Sequence, residues 1–450
     1  MADAQASGAC GSNTVWVQVP SPALRSEAGR FPIFCFTENH TAIFNTKKKV
    51  MTCGQEADMQ YRTNQKDGRQ LSILGYGCLR YSKKGTAIDQ EKAEREMAYA
   101  VEHGVNYFDT AYTYGGSEVC LGKFLAKGYR DRVNIATKLP HYYINRTEDM
   151  ERYFKEQLER LQTDHIEYYL MHMLNDIAAW ERLTQLGIRE WIAEKKEKGQ
   201  IANIGFSFHG GTEQFRKLID AYEWDFCQIQ YNYLDEHTQA GLAGLNYAHE
   251  KGLPVIIMEP LRGGRLVNAL PKAAYRIYEK AEPKRSPAEW GLRWIWNHPQ
   301  VNVVLSGMND IAQVKENIAI AEDAVAEAFT GEELQVVEQV KKEINRHMKV
   351  PCTGCGYCMP CPVGVDIPTC FAAYNTRYTD SWYSGMKAYL MCTTLKTNPS
   401  AASNCVRCGR CERRCPQGIH IRDELKQVKR HMENPVYKVA KIIAGKIGKY

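Results

Sequence analysis

Eight of this chain's cysteines fall into two tight runs, and no other feature limits its fold as strongly. Cys352, Cys355, Cys358 and Cys361 form the first, followed by Pro362; Cys405, Cys408, Cys411 and Cys415 form the second, followed by Pro416. Thiolates three residues apart on a short loop converge on one small object, so such a run folds around a metal cluster. Structural zinc also takes Cys-x2-Cys pairs, but as paired knuckles and not as four-cysteine runs ending in Cys-Pro. Sixteen cysteines in all would suggest disulfides in a secreted chain. The opening MADAQASGACGSN, however, lacks the basic and apolar regions of a signal peptide. With no apolar run long enough for a membrane span, the expected compartment is a reducing cytoplasm, where thiols serve metal or catalysis.

The second run has the spacing C-x2-C-x2-C-x3-C-P and resembles that of bacterial two-cluster ferredoxins. The resemblance implies two 4Fe-4S clusters with the fourth cysteine of each run crossing over. Cys352, Cys355, Cys358 and Cys415 then share one cluster, and Cys405, Cys408, Cys411 and Cys361 the other. The first run departs from the pattern, having two residues and not three before Cys361. Between the runs, YSGMKAYLMCTTL reads as helix, so the tail resembles the α-helical dicluster ferredoxins. Cys370 and Cys392 in this linker are expected to be packed thiols.

At 450 residues, 44% of them hydrophobic, the chain predicts two domains. Residues 1–58 show no sustained period and read as an irregular N-terminal extension. From Met59 the pattern becomes interpretable, with two short strands around Lys66-Asp67-Gly68 and a third strand ending at Gly77. Apolar runs then alternate with helical stretches such as DQEKAEREMAYAVEHG, whose Ala93, Met97, Ala100 and Val101 share one face before a stop at Gly104. Counting Leu74 to Gly77, eight strand-like runs follow: Asn106 to Asp109, Val133 to Lys138, Ile166 to His172, Ile201 to Ser207, Cys227 to Asn232, Val255 to Met258 and Val303 to Ser306 complete the set. Strand–helix alternation demands parallel pairing with right-handed crossovers. Eight units predict a closed (β/α)8 TIM barrel over 59–345. An open doubly wound sheet is the competitor, but the first strand–helix turn lacks its G-x-G-x-x-G loop. Residues 346–450 then form the cluster-binding, mainly helical domain. From 349 onward there are 16 Lys and Arg against 6 Asp and Glu, an excess that balances the negative charge of thiolate-bound clusters. Neither nucleic acid nor membrane is an expected partner.

In FDTAYTYGGSE, Asp109 ends a strand and Tyr114 follows; Lys138 ends the next strand in IATKLP, and His172 the one after in YYLMH. C-terminal strand ends are where barrel enzymes place catalysis. In type and order these four match the tetrad of aldo-keto reductases, which residues 60–330 resemble. The resemblance implies carbonyl reduction with NADPH or NADH. Tyr114 would be the proton donor, Lys138 would lower its pKa, Asp109 would hold the ammonium and His172 would orient the carbonyl.

The resemblance carries cofactor positions too. Ser207 and Gln228 match residues that hold the nicotinamide carboxamide, although Phe208 stands where relatives usually have Asn. Gly77 and Cys78 lie at the first strand end. Pro260, Leu261, Gly263 and Arg265 belong to EPLRGGRL, the loop over the pyrophosphate. Gly307, Met308, Gln313 and Asn317 occupy the adenosine end, where NADPH-selective relatives often carry Lys or Arg at the positions of Gly307 and Gln313.

The expectation is therefore an NAD(P)H-dependent oxidoreductase acting on a small molecule, with two 4Fe-4S clusters for electron transfer or docking. Arg407, Arg410, Arg413 and Arg414 around the second run suit an acidic electron carrier such as a ferredoxin or flavodoxin. The alternative is a nucleotide-binding iron–sulfur redox sensor without turnover. Hydride carries two electrons and a cubane takes one, and no flavin motif bridges them.

Overall fold

The computed structural model describes residues 59–447, apart from Thr353, Cys355 and Pro416; the extension expected over 1–58 lies outside the described residues. Eight parallel strands close into a barrel in chain order: β1 (Leu74–Gly77), β2 (Tyr107–Asp109), β3 (Asn134–Leu139), β4 (Ile166–Met171), β5 (Ile201–Phe208), β6 (Phe226–Gln230), β7 (Val255–Met258) and β8 (Val301–Ser306). The sheet closes where β8 pairs with β1, Leu305 opposite Gly75. At Gly75 an added Cβ would lie 2.7 Å from Leu305 Cδ2 and 2.8 Å from Val303 Cγ1, so any larger residue there would have to displace interior side chains.

Each strand is buried nearly throughout because one face meets the interior and the other meets helices. The interior is filled by Tyr107, Ala136, Tyr168, Leu170, Phe226, Ile256, Val303 and Leu305. Leu71 joins them from an antiparallel ribbon, Tyr61–Thr63 with Gln70–Ser72, which packs beneath the strand starts. Asn64 Nδ2 in its turn donates to the Tyr168 hydroxyl at 3.0 Å. Outside, Ala93, Met97, Ala100 and Val101 of helix Gln90–Glu102 are buried on one face, as the periodicity predicts. Asp89 caps that helix, accepting from Lys92 N at 3.1 Å.

The last helix before the cysteines is Gly331–Asn345. The tail that follows is helical, with Ile367–Thr379, Trp382–Tyr389, Ile421–Met432 and Pro435–Ile447. The first two form a tight hairpin in which an added Cβ on Gly385 would meet Arg377 N at 2.7 Å. A second core, including Ile367, Phe371, Met386, Tyr389, Leu425 and Val428, holds the tail together. Cys370, in this core, and Cys392 are both buried thiols, as expected. Barrel and tail belong to one compact unit.

Candidate active site and iron–sulfur cavities

The C-terminal strand ends converge at one mouth. Asp109 is the last residue of β2, Lys138 the next to last of β3, and His172 follows β4 directly. Tyr114 reaches the same place through consecutive turns, its N–H donating to Ala111 O and its carbonyl accepting from Ser117 N. Ser117 anchors that loop, its hydroxyl 2.8 Å from both Cys78 O and Thr110 Oγ1.

Lys138 Nζ donates to Asp109 Oδ1 at 2.6 Å and to Thr110 O at 2.7 Å, and lies 5.1 Å from the centre of the Tyr114 ring. The other carboxylate oxygen of Asp109 accepts from Gln228 Nε2 at 2.8 Å. Tyr114 and His172 meet edge to face, centroids 5.9 Å apart. Around His172, Nδ1 is 3.2 Å from the Tyr142 hydroxyl and 3.5 Å from Thr113 Oγ1.

Burial first, and then the Asp109 carboxylate, push the Tyr114 phenol above its ordinary pKa. Lys138 was expected to lower it. Its ammonium is instead hydrogen-bonded to Asp109 and Thr110. Burial, seconded by Lys138, holds the His172 imidazole well below its usual range, so the ring is neutral at pH 7.

All four residues line a cleft of about 760 Å³ that continues past Gly77, Ser207, Gln228, Pro260, Leu261, Gly263 and Gly307 to Gln313 and Asn317. Three expected contacts lie off this wall. Cys78 is fully buried behind it, and Met308 is also buried, its carbonyl accepting from Tyr76 OH at 3.0 Å. Arg265 turns outward into an ion pair with Asp380 of the tail. Gln228 does line the cleft, but one amide N–H is held by Asp109. Ser207 Oγ accepts from Met173 N at 2.8 Å, leaving its own proton to donate.

Several lining residues escaped the sequence reading: Arg80, His209, Lys387 and Met391. Arg80 is the nearest miss. Its side chain packs beside Gly263 and Gly307, where added Cβ atoms would meet it at 2.4 and 3.1 Å. Its position just after the first strand end was the available signal. Lys387 and Met391 come from the tail, and nothing local marks them as residues of the barrel mouth.

Two cavities in the tail collect cysteines from both runs. One of about 340 Å³ is lined by Cys405, Cys408 and Cys411 together with Cys361, and also by Cys358. A smaller one of about 20 Å³ is lined by Cys352, Cys358 and Cys415. Ile367 lies against both. A set of soft thiol donors crossing between runs suits iron–sulfur clusters.

Comparison with known proteins agrees. The aldo/keto reductase family model matches residues 73–340, and a 4Fe-4S dicluster domain model matches 351–420. An uncharacterized oxidoreductase of Bacillus subtilis, YrpG, is 27% identical over 307 residues, which span 59% of this chain and 91% of the relative. A probable aldo-keto reductase of Glycine max is 25% identical over 291 residues, covering 56% and 81%. Among solved structures, an aldo-keto reductase of Bacillus halodurans in its holo form superposes with a TM-score of 0.53 at 26% identity, covering 63% of this chain and 96% of that one. No helix among the described residues is long and apolar enough to cross a membrane. The closed barrel, its mouth and the family match converge: the chain belongs to the aldo/keto reductase family of oxidoreductases and carries a 4Fe-4S dicluster domain after its barrel.

Proposed function

We propose that the protein reduces a carbonyl or related small molecule at the barrel mouth, using NADPH or NADH. The observation that carries this is the Asp109–Lys138–Tyr114–His172 group gathered in one cleft of about 760 Å³ whose wall also includes Ser207, Gly263, Gln313 and Asn317. When bound, the nicotinamide supplies a hydride. The chain's own task is then to orient the carbonyl and protonate its oxygen. The Tyr142 hydroxyl lies 3.2 Å from Nδ1, and in the tautomer where that nitrogen accepts, His172 Nε2 carries the proton and can hydrogen-bond the substrate oxygen. Tyr114 keeps its proton at neutral pH, as a reservoir must. Releasing it leaves a phenolate in a buried site, and the positive charge of Lys138 offsets part of that cost. Ser207 and Arg80 are well placed for the amide and phosphate ends of the nucleotide.

Tyr114→Phe tests the reading. Turnover of a simple aldehyde should fall by about two to four orders of magnitude while nucleotide affinity barely moves. An unchanged rate would remove Tyr114 from the chemistry; no turnover by the wild-type protein, with nucleotide bound, would favour the redox sensor.

For the tail, the reading is two 4Fe-4S clusters that exchange single electrons with an external acidic carrier. Arg410, Arg413 and Arg414 are exposed beside the exposed Cys408, with no ion pair to a carboxylate among the described residues. Arg407 is engaged by Asp423 at 2.8 Å and contributes less. Cluster reduction by a reduced flavodoxin that slows as salt rises supports this role. Clusters that neither carrier nor nucleotide reduces would leave them structural.

A further inference from the structure

The loop from Glu259 to Arg265 forms one wall of the cleft through Pro260, Leu261, Gly263 and Gly264. Four of its residues sit at positive φ: Glu259 at 53°, Arg262 at 47°, Gly263 at 67° and Gly264 at 86°. Glycine adopts this region freely, but for Glu and Arg it is unfavourable and persists only where surroundings enforce it. Three ion pairs do so. In the middle, Arg262 Nε donates to Asp235 of the barrel at 2.9 Å. At the two ends the partners come from the tail: Glu259 meets Lys387 at 3.3 Å, and Arg265 meets Asp380.

Both partners belong to the tail hairpin. Asp380 lies in the turn between helices Ile367–Thr379 and Trp382–Tyr389, and Lys387 is in the second helix. The same hairpin backs the cluster cavities, since Ile367 lines both and Phe371 lines the smaller one. A small domain organised by metal ligands draws much of its folding free energy from them. The clusters, the hairpin, two ion pairs and the cleft loop thus form one mechanical series.

We propose that Asp380 and Lys387 are positioning residues for the nucleotide loop, so that the iron–sulfur tail sets the barrel's affinity for nucleotide. The inference rests on the reading that the cleft binds NADPH or NADH. Asp380 is the discriminating position, because it lines not the cleft itself but an adjoining cavity between tail and barrel, where it pairs with Arg265.

The test titrates NADH into full-length, cluster-loaded protein and follows nucleotide fluorescence. Asp380→Asn and Lys387→Met should each weaken binding about two- to tenfold, the reach of a partly exposed ion pair, with iron content unchanged. Exchanging the charges in Arg265→Asp/Asp380→Arg should restore most of the loss. Should Asp380→Asn shed iron, Arg265→Gln removes the same pair from the barrel side and should read the same loss. Stripping the clusters from wild-type protein should weaken binding as much as the Asp380→Asn/Lys387→Met pair does, and should weaken that double variant no further. By reciprocity, saturating NADH should slow iron loss to a chelator in wild-type protein and less so in the double variant. Equal affinity in wild-type, Asp380→Asn and cluster-free protein would overturn the inference. Failure of wild-type protein to bind either nucleotide would instead overturn the reading beneath it.

Discussion

Lys138 Nζ stands 2.6 Å from Asp109 Oδ1 with both side chains almost wholly buried, and this pair sits at the barrel mouth within the proposed catalytic group. Removing one partner leaves a buried charge unpaired, which costs about 3–5 kcal/mol. Lys138→Met should therefore lower both turnover and the urea midpoint. The double change Lys138→Met/Asp109→Leu should recover stability but not activity. A single variant as stable as wild type would mean that Gln228, at 2.8 Å from Asp109, satisfies the carboxylate alone.

The crossed cysteines give a spectroscopic prediction. Anaerobically purified protein should hold about eight iron and eight sulfide per chain. Cys415→Ser should perturb the cluster of the first run, because Cys415 shares a cavity with Cys352 and Cys358. Cys361→Ser should perturb the other, with Cys405, Cys408 and Cys411. Paramagnetic resonance of the reduced variants separates the two. Perturbation of its own run's cluster by each fourth cysteine would reject the crossover, and stoichiometric zinc without sulfide would reject both clusters.

Nucleotide choice should be weak. The proposed adenosine end of the cleft is lined by Gly307, Asn309, Gln313, Glu316 and Asn317, none of them basic, with Arg80 packed beside Gly307. The ratio of kcat/KM for NADPH over NADH should stay within about tenfold, and Gln313→Arg should raise it by about another tenfold by pairing with the 2'-phosphate. A wild-type preference of several hundredfold would require another basic group at that site.

Acid should destabilise the barrel. His172 and His141 are buried and held neutral, His141 pushed down to about 4 by burial. Their unfolded-state pKa is about 6.5, so below that pH the unfolded chain binds more protons than the folded one. The stability they confer is complete above about 6.5 and is lost as pH falls through the folded-state value. Near pH 5.5 the loss should be about 1 kcal/mol per histidine, read as a lower urea midpoint for tryptophan fluorescence than at pH 7.5. An unchanged midpoint would mean that these rings are not held neutral.

Much of this molecule is written locally. Strands of a parallel barrel are buried on both faces, so β1 to β8 stand out as apolar runs; the observed ends differ from the sequence reading by a residue or two, where hydrogen bonding and not hydropathy sets the boundary. That Asp109, Tyr114, Lys138 and His172 line one cleft was legible because barrel topology brings strand ends to one mouth whatever the side chains do. The cysteine runs were legible because ligand spacing is itself local. Other features required the folded chain. Cys78, Met308 and Arg265 have suitable positions in sequence, yet side-chain direction at a strand end or loop depends on what packs behind it. The phenol of Tyr114 titrates upward because burial and the Asp109 carboxylate outweigh the nearby Arg80 guanidinium. Lys387 and Met391 reach the cleft, and Asp380 reaches Arg265, only because the tail docks on the barrel mouth. Docking joins residues more than a hundred positions apart through surface complementarity, which no local period or spacing encodes.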